Sequence, residues 1–466
     1  MKKFSGILLV LMAFGLQTFG THILGGELTY KYLGSNGPTD RPFRYLIHFV
    51  GYVDRVGTPG QLSNWGCGNL AQDPFLAIYD AGTNERIQKD PNAQPFELDL
   101  INWRLPSHGD QVQGPCAIDP YFGGMRPLVI PVPPSCVVPG LTELNIAITD
   151  TTFEVQLPLS FSGYKVKYEN CCRTENTTNI FFPGGNNNPG NTWLATIPSP
   201  IFANSSPQFI GDAVPFFCKG DTATISNNAF DPDGDRLIYS FATPYSGVGG
   251  NPDATYVDPE VSTYQAGFSQ SEPFGPGGFA SINPSTGLTK YYCNVNGNYA
   301  VAVDIQEYRT LSNGSEILLS TTRREFLVVV KECAPNNPPD PFPPVNVQEN
   351  ITFIRSEGDS VIIPFSSFDV DTTIISAQSE LFSASTNPGS LATCPTVTGV
   401  DSVKTLFRWK INCGITGGIV RNYSVVVNYS DLGCPPKTKT VIYTIIVNPF
   451  KAPTITGRDS ICSTDQ

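Results

Sequence analysis

Short stretches of alternating hydrophobic and polar residues cover much of the chain. Three of them, Glu27–Leu33, Arg44–Val50 and Tyr164–Tyr168, are rich in Tyr, Val, Ile and Thr. Alternation with a period of two is typical of a half-buried β-strand, and these residue types favour strands. Because no amphipathic helical pattern extends beyond a couple of turns, the sequence predicts an all-β protein.

The clearest predicted hairpin joins the segments Tyr299–Arg309 and Glu316–Val330. Apolar residues alternate at positions 301, 303 and 305 of the first segment and at 326, 328 and 330 of the second. Asn313-Gly314 lies between them, and Asn-Gly is a strong hairpin signal because both residues tolerate a positive φ. We therefore expect two long antiparallel strands here.

One segment occurs twice in the chain. Gly220–Asp233 aligns without a gap on Gly358–Asp371, at a constant offset of 138 residues. Each copy is followed by a hydrophobic closing strand, at Phe326–Val330 and at Val441–Val447, and a Pro-rich stretch lies between the copies. Pro-rich stretches act as stiff spacers. The repeat therefore predicts tandem β-sandwich modules.

The first twenty residues have the pattern of a secretory signal peptide. Lys2 and Lys3 precede the apolar run Ile7–Leu16, and small residues follow it. The run is too short for a membrane-spanning helix, which needs about 20 apolar residues. We therefore expect an exported chain, secreted or held at the outer cell surface, with no transmembrane span in this segment.

The predicted fold class is tandem β-sandwich modules after an N-terminal β-sandwich domain. The expected parts are a signal peptide at 1–20, the N-terminal domain at 21–203, a first module at 204–334, a Pro-rich linker at 335–346, a second module at 347–450 and the start of a further module at 451–466.

The composition argues against several classes of function. The chain has 466 residues, a formal net charge of −12 and 3 His. Proteins that bind nucleic acid normally carry a basic patch, so the acidic balance argues against a nucleic-acid partner. Catalysis or zinc binding through His is disfavoured, and neither the G-x-S-x-G nor the H-E-x-x-H motif occurs. We expect a protein that is not an enzyme.

The 12 Cys are expected to form disulfides, because exported proteins fold in an oxidising environment. Cys218 and Cys333 bracket the first module, so a bridge between them would tie its first strand to its last. The sequence leaves the other pairings open.

The sharpest local motif is Asp231-Pro-Asp-Gly-Asp-Arg-Leu237. Asp231, Asp233 and Asp235 place three carboxylates around a turn, and Ca²⁺ prefers oxygen ligands of this kind. The alternative is an Asp-rich turn without metal, because Asp, Pro and Gly dominate turns. If Ca²⁺ binds, we expect it to stiffen the module; no other cofactor is expected. The second copy of the repeat keeps only Asp369 and Asp371.

Several segments together resemble one known group of proteins. In order along residues 21–333, they are THILGGELTYKY at 21–32, YKVKYENCCR at 164–173, NSSP at 204–207, the DPDGD segment at 230–241, SINPSTG at 281–287, EYR at 307–309 and STTRREF at 320–326. This combination is similar to large surface proteins of Bacteroidota that are gliding-motility-associated and type IX secreted. The sequence departs from the family at 53–56, where the family often has Arg-Asp-Cys.

The resemblance implies immunoglobulin- or cadherin-like modules, passage through the type IX secretion system and a C-terminal sorting domain. It also implies a role in adhesion or gliding rather than catalysis. The expected partners are the secretion machinery and polysaccharide or protein ligands at the cell surface.

Asp followed by Ser or Thr and a small or aliphatic residue resembles the O-glycosylation sequon of exported Bacteroidota proteins. The candidate acceptors are Thr151, Thr222, Ser360, Thr372, Ser402 and Ser460. Composition alone also produces such tripeptides.

The sequence leaves two alternative functions open. A carbohydrate-binding or carbohydrate-active protein could use Trp65, Trp103 and Trp193 as a sugar-stacking platform, although Trp packs more often in a core or interface. An extracellular filament subunit is the second alternative, because tandem modules with stiff spacers suit polymer assembly.

Overall fold

A computed structural model describes most of the chain. The described residues are 23–54, 75–87, 103–104, 126–127, 146–170, 173, 177–183, 189–213, 216–247, 253–342, 351–387 and 389–450. The predicted signal peptide and the segment 451–466, with the candidate acceptor Ser460, lie outside them.

The described residues form β-strands and two short 3-10 helices, at Pro200–Phe202 and Glu380–Phe382, so the all-β prediction is confirmed. In chain order the strands are β1 (Ile23–Gly34), β2 (Phe43–Asp54), β3 (Phe75–Asp80), β4 (Trp103–Arg104), β5 (Arg126–Pro127), β6 (Ile146–Leu157), β7 (Tyr164–Asn170), β8 (Asn191–Ile197), β9 (Gln208–Phe209), β10 (Phe216–Cys218), β11 (Thr222–Ser226), β12 (Ala229–Phe230), β13 (Arg236–Ala242), β14 (Phe279–Ile282), β15 (Leu288–Tyr292), β16 (Gly297–Thr310), β17 (Glu316–Lys331), β18 (Asp340–Pro341), β19 (Ile351–Ser356), β20 (Ser360–Gln378), β21 (Val397–Lys410), β22 (Arg421–Asp431) and β23 (Thr438–Asn448).

The largest sheet contains strands from both the N-terminal domain and the first module. Its main path is β4-β3-β7-β8-β17-β1-β2-β6-β5; β10 and β16 also pair with β17, and β13 pairs with β16. The three strands predicted from alternation lie within β1, β2 and β7. The predicted hairpin is β16–β17, with its turn at Asn313-Gly314. These predictions are confirmed. They could be made from the sequence because alternation and turn residues are local signals.

Strand β17 links the N-terminal strands to the first module. It pairs with β16 along most of its length and with β10 in parallel. It also pairs with β1 opposite Gly25–Glu27 and with β8 opposite Ala195. The predicted boundary between residues 203 and 204 therefore separates segments whose strands share one sheet.

Two buried ion pairs lie along β17 near its contact with β1. Arg324 is 1% exposed and donates to Glu27, at 2.5 Å from Nε and 2.9 Å from Nη2. The adjacent Glu325 forms an ion pair with the buried Arg173. Taking a charge out of water costs several kcal/mol unless it is paired. The Arg324–Glu27 pair therefore favours one register of β1 against β17.

The predicted bridge between Cys218 and Cys333 is present, with 5.6 Å between the two Cα atoms. Cys218 ends β10 and lies opposite Lys331 of β17. The bridge joins residues 115 positions apart in the chain. Closing so long a loop stabilises a fold mainly by restricting the unfolded chain.

The second module has a core of its own. The segment Ser360–Asp369 of β20 pairs with β21; after an irregularity Thr373–Ile375 still pair with β21, and Thr373–Gln378 pair with β22. The path β18-β20-β22-β23-β19 completes its sheet. Buried residues of β20 to β23, including Phe407 and Trp409, fill the interior.

The two modules pack directly against each other. Ile210 and Leu288 of the first module form one buried cluster with Val426 and Ile442 of the second, and Phe230 packs against it. We call these five residues the junction cluster.

Polar contacts flank the junction cluster. They are an ion pair of 2.6 Å between Lys437 and Asp221, hydrogen bonds from Arg421 to the carbonyl oxygens of Pro232 and Asp233, and a hydrogen bond from the Thr440 amide to Thr224 Oγ1. The relative position of the modules therefore depends on side-chain contacts as well as on the linker.

The first prediction concerns the buried pair of Arg324 and Glu27. Arg324→Met leaves Glu27 buried without its partner, which typically costs about 3–5 kcal/mol. Urea denaturation of the complete chain should show this loss in the free energy of unfolding, and adding Glu27→Gln should recover much of it.

The matched control is Arg236→Met. Arg236 forms a 2.6 Å pair with Glu316 in which both side chains are exposed, and such pairs contribute less than about 1 kcal/mol. Equal losses for the Arg324 and Arg236 variants would contradict the role given to the buried pair.

Candidate cation site in the first module

The Asp231 carboxylate organises its own turn. Its Oδ1 accepts hydrogen bonds from the amides of Asp233 at 2.9 Å and Asp235 at 2.8 Å. Gly234 has a φ of +89°, which suits Gly at this position of the turn. Asp231 Oδ2 is buried and has no hydrogen-bond partner among the described residues. One acidic oxygen is therefore left available inside the turn.

Strand β16 brings a second buried acid to this turn. Glu307 is 0% exposed; its Oε2 accepts a 2.5 Å hydrogen bond from Ser320, and its Oε1 has no partner among the described residues. Ligand atoms of Asp231, Asp235 and Glu307 all lie within 4.8 Å of one another. The site therefore combines a turn with a strand about 70 residues further along the chain.

The sequence carries a signal for Glu307 that motif reading missed. Positions 301, 303 and 305 of β16 are apolar and buried, and residue 307 continues the same phase. A carboxylate on the buried face of a strand needs a partner, because an unpaired buried charge is costly.

Asp233 does not belong to the group. Its Oδ2 accepts a 2.6 Å hydrogen bond from the Ser205 amide and lies 3.9 Å from the Arg309 guanidinium. The sequence named Asp231, Asp233 and Asp235 as ligands, whereas the structure brings Glu307 to the other two. Asp233 instead fastens the segment that enters the first module.

One arginine faces this set of acids. Arg309 contacts both carboxylate oxygens of Asp235, at 2.6–3.0 Å, and donates to Asn204 Oδ1 and to the Phe202 carbonyl. A single guanidinium cannot neutralise Asp231, Asp235 and Glu307 together. Two negative charges are therefore left for protons or a cation to balance.

Burial and the nearby negative charges raise the pKa values of two of these acids. Burial raises the pKa of Glu307 above its ordinary value, and the charge of Asp231 raises it further. Burial also raises the pKa of Asp231, with Asp235 adding to the effect, although the amide of Asp235 opposes it. Both acids therefore hold protons more tightly than they would in water.

The second module repeats the amide contact of this turn, and a hydrogen-bonded carboxylate lies beside it. Asp371 donates its amide to Asp369 Oδ1 at 3.0 Å, as Asp233 does to Asp231. Asp431 of β22 lies opposite Thr373, two residues after Asp371. Its carboxylate accepts from the amides of residues 433 and 437 and from the side chain of residue 336. None of the buried, unpartnered carboxylate oxygens of the described residues belongs to Asp369, Asp371 or Asp431.

The proposed sugar platform is not supported by Trp193. Its side chain is 1% exposed and packs against Phe49 and Tyr168 in the core of the N-terminal strands. The interpretation of Trp193 as an exposed stacking residue is therefore wrong, because its alternating position in β8 points inward. Trp65 and the side chain of Trp103 lie outside the described residues.

The candidate glycosylation sites differ in exposure. Thr222, Ser360 and Ser402 are exposed, and Thr372 is half-buried. Thr151 lies in β6, but its side chain is outside the described part of the structure. The hydroxyls of the three exposed residues are therefore accessible to a glycosylating enzyme. Glycosylation stays a prediction.

Comparisons with known proteins gave structural likenesses only. No protein-family model and no curated protein matches the chain. The solved structures that are similar include the titin domains Z1Z2 in complex with telethonin (13% identity, TM-score 0.16, 53% of this chain and 99% of that one) and human protocadherin-24 EC1-2 (16%, 0.17, 53% and 100%). Mouse cadherin-23 EC22-24 is a third (12%, 0.16, 66% and 80%). At these TM-scores they carry no argument about function.

The described strands agree with the predicted fold class of tandem β-sandwich modules. Among the described residues, no helix is long and apolar enough to span a membrane.

The second prediction follows from the raised pKa of Glu307. Its pKa rises from an ordinary 4.5 to about 9, so the folded chain holds a proton that the unfolded chain has released. This stabilisation is complete below pH about 4.5 and is lost as the pH rises through the folded-state value. In EDTA, the melting temperature should fall between these pH values, and Glu307→Gln should flatten the fall.

The control for this experiment is Glu154→Gln. Arg44 lowers the pKa of the exposed Glu154 carboxyl, so this variant should leave the alkaline fall unchanged. A Glu307→Gln chain with the wild-type pH profile would contradict the prediction.

Proposed function

We propose that the chain is a non-enzymatic structural protein of the cell surface that serves adhesion or gliding. The observation that supports this most is the continuity of the scaffold. The N-terminal strands and the first module share β17, and the two modules meet in the junction cluster. Modules that are held in fixed relative positions form a rigid connection between the cell surface and a bound ligand.

The export route is part of the same proposal. Passage through the type IX secretion system and a link to gliding rest on the resemblance of residues 21–333 to Bacteroidota surface proteins. The bridge between Cys218 and Cys333 is compatible with an oxidising compartment outside the cytoplasm.

The proposal of surface function is tested in the source cells. An antibody against the chain should label intact cells, and labelling should disappear when the type IX channel is deleted. Deleting the gene for the chain should reduce attachment or gliding speed. Labelling that requires permeabilised cells, or unchanged attachment and gliding after deletion, would contradict the proposal.

We also propose that Ca²⁺ binds between Asp231, Asp235 and Glu307. The residues fit such an ion, because Asp231 Oδ2 and Glu307 Oε1 are buried acceptors without a hydrogen-bond partner in the described part of the chain. Ca²⁺ takes oxygen ligands at about 2.3–2.6 Å and accepts irregular geometry. Its charge would balance the two acids that Arg309 leaves unneutralised. It would join the turn to β16 and so stiffen the first module.

The third prediction distinguishes the ligand set named from the sequence, which includes Asp233, from the set in the structure, which includes Glu307. Binding to the folded chain alone raises its melting temperature, so EDTA should lower it by several degrees. Asp231→Asn and Glu307→Gln should each remove the difference. Asp233→Asn should keep it, because Asp233 caps the Ser205 amide instead.

Asp369→Asn is the matched control, since Asp369 takes the place of Asp231 in the second module. It should leave the effect of EDTA intact. Identical melting of the wild-type chain with and without EDTA would contradict the proposed Ca²⁺ site.

A further inference from the structure

The two copies of the repeat have the same local geometry. The amide of Asp221 donates to the carbonyl of residue 218, and that of Asp359 to the carbonyl of residue 356, both at 3.1 Å. The amides of Ile210 and Phe342 donate to the carbonyls of residues 228 and 366, both at 2.8 Å. Gly220 and Gly358 have φ values of +82° and +89°. Positions joined by these matching contacts can therefore be equated between the two modules.

This equivalence extends to the residues of the junction cluster. Leu288 lies opposite Ser226 in the first module, and Leu406 lies opposite Pro364, the counterpart of Ser226, in the second. Gln208 pairs with Phe230, and Asp340 pairs with Phe368. The three residues that the first module contributes to the junction, at 210, 230 and 288, thus correspond to Phe342, Phe368 and Leu406.

All three counterparts are large, apolar and exposed. Phe342 is 66% exposed, Phe368 58% and Leu406 37%. In the first module the corresponding Ile210 and Leu288 are buried by the second module, and Phe230 is partly buried. The second module therefore carries an uncovered copy of the surface by which the first module docks. We call Phe342, Phe368 and Leu406 the exposed patch.

The polar rim of the junction also has counterparts in the second module. Asp221, which pairs with Lys437, corresponds to the exposed Asp359. The carbonyls that accept from Arg421 belong to residues 232 and 233, whose counterparts are 370 and 371. Acceptors for a lysine and an arginine are therefore present beside the exposed patch.

We propose that the exposed patch is the docking surface for a further immunoglobulin-like module. The occupant presents two aliphatic side chains from adjacent strands, flanked by Lys and Arg, as the second module does with Val426, Ile442, Lys437 and Arg421. The established junction is the argument for this choice, because one copy of the same surface already holds a module of this kind. A second copy of the intact chain does not suit, since its Val426 and Ile442 are covered.

The test uses the complete chain with its junction opened. Ile210→Asp places a charge in the junction cluster and should release the second module, which exposes Val426 and Ile442. The released face of one copy then serves as the probe for the patch of another. Sedimentation velocity should show concentration-dependent oligomers for this variant and monomers for the wild-type chain. Near-ultraviolet circular dichroism and the retained bridge between Cys218 and Cys333 verify the fold.

Two further variants identify the surfaces involved. Phe368→Asp in the opened chain removes the patch, and Val426→Asp removes the probe; each should weaken association at least ~10-fold, about 1.4 kcal/mol. Leu391→Asp is the control, because Leu391 is 51% exposed on the same module outside the patch. It should leave association unchanged.

An Ile210→Asp chain that exposes Val426 and Ile442 to solvent, as hydrogen exchange of their amides shows, and still stays monomeric would overturn the proposal. Association that is as strong with Phe368→Asp as without it would overturn it too, since the contact would then lie elsewhere.

Discussion

The burial of Arg324 constrains the whole architecture. A guanidinium inside a sheet needs a carboxylate at hydrogen-bonding distance, and Glu27 supplies it from a strand almost 300 positions earlier in the chain. The pair forms when β1 lies beside β17 in the register that joins Glu27 to Arg324. The N-terminal strands and the first module are therefore parts of one sheet. Their joint folding follows from this contact.

Strand β17, paired with β16, also positions the candidate cation site. β16 and β17 place Glu307 against Ser320, and the Asp231 turn closes over them. The backbone of that turn accepts from Arg421, so the site borders the junction with the second module. A bound cation would thus stiffen a point where a sheet, a turn and a module contact meet. An acidic cluster can in this way stabilise a structural protein without taking part in catalysis.

Local features and one disulfide were predictable from the sequence, whereas the other long-range contacts were not. Alternation placed β1, β2 and the β16–β17 hairpin, because each strand carries its own period. The pairing of Cys218 with Cys333 followed from their positions at the two ends of a module. Glu307 was missed as a ligand because its neighbours in space are distant in the chain. The junction cluster was missed for the same reason, since single apolar residues carry no sign of their partner.

Native-state hydrogen exchange tests the central claim, that the N-terminal strands and the first module form one cooperative unit. Amides of β1 paired with β2 and amides of β17 paired with β16 are compared over a range of denaturant concentrations. The account predicts the same opening free energy and the same denaturant dependence for both sets. Exchange of β1 through an opening that leaves β16 and β17 protected would contradict it.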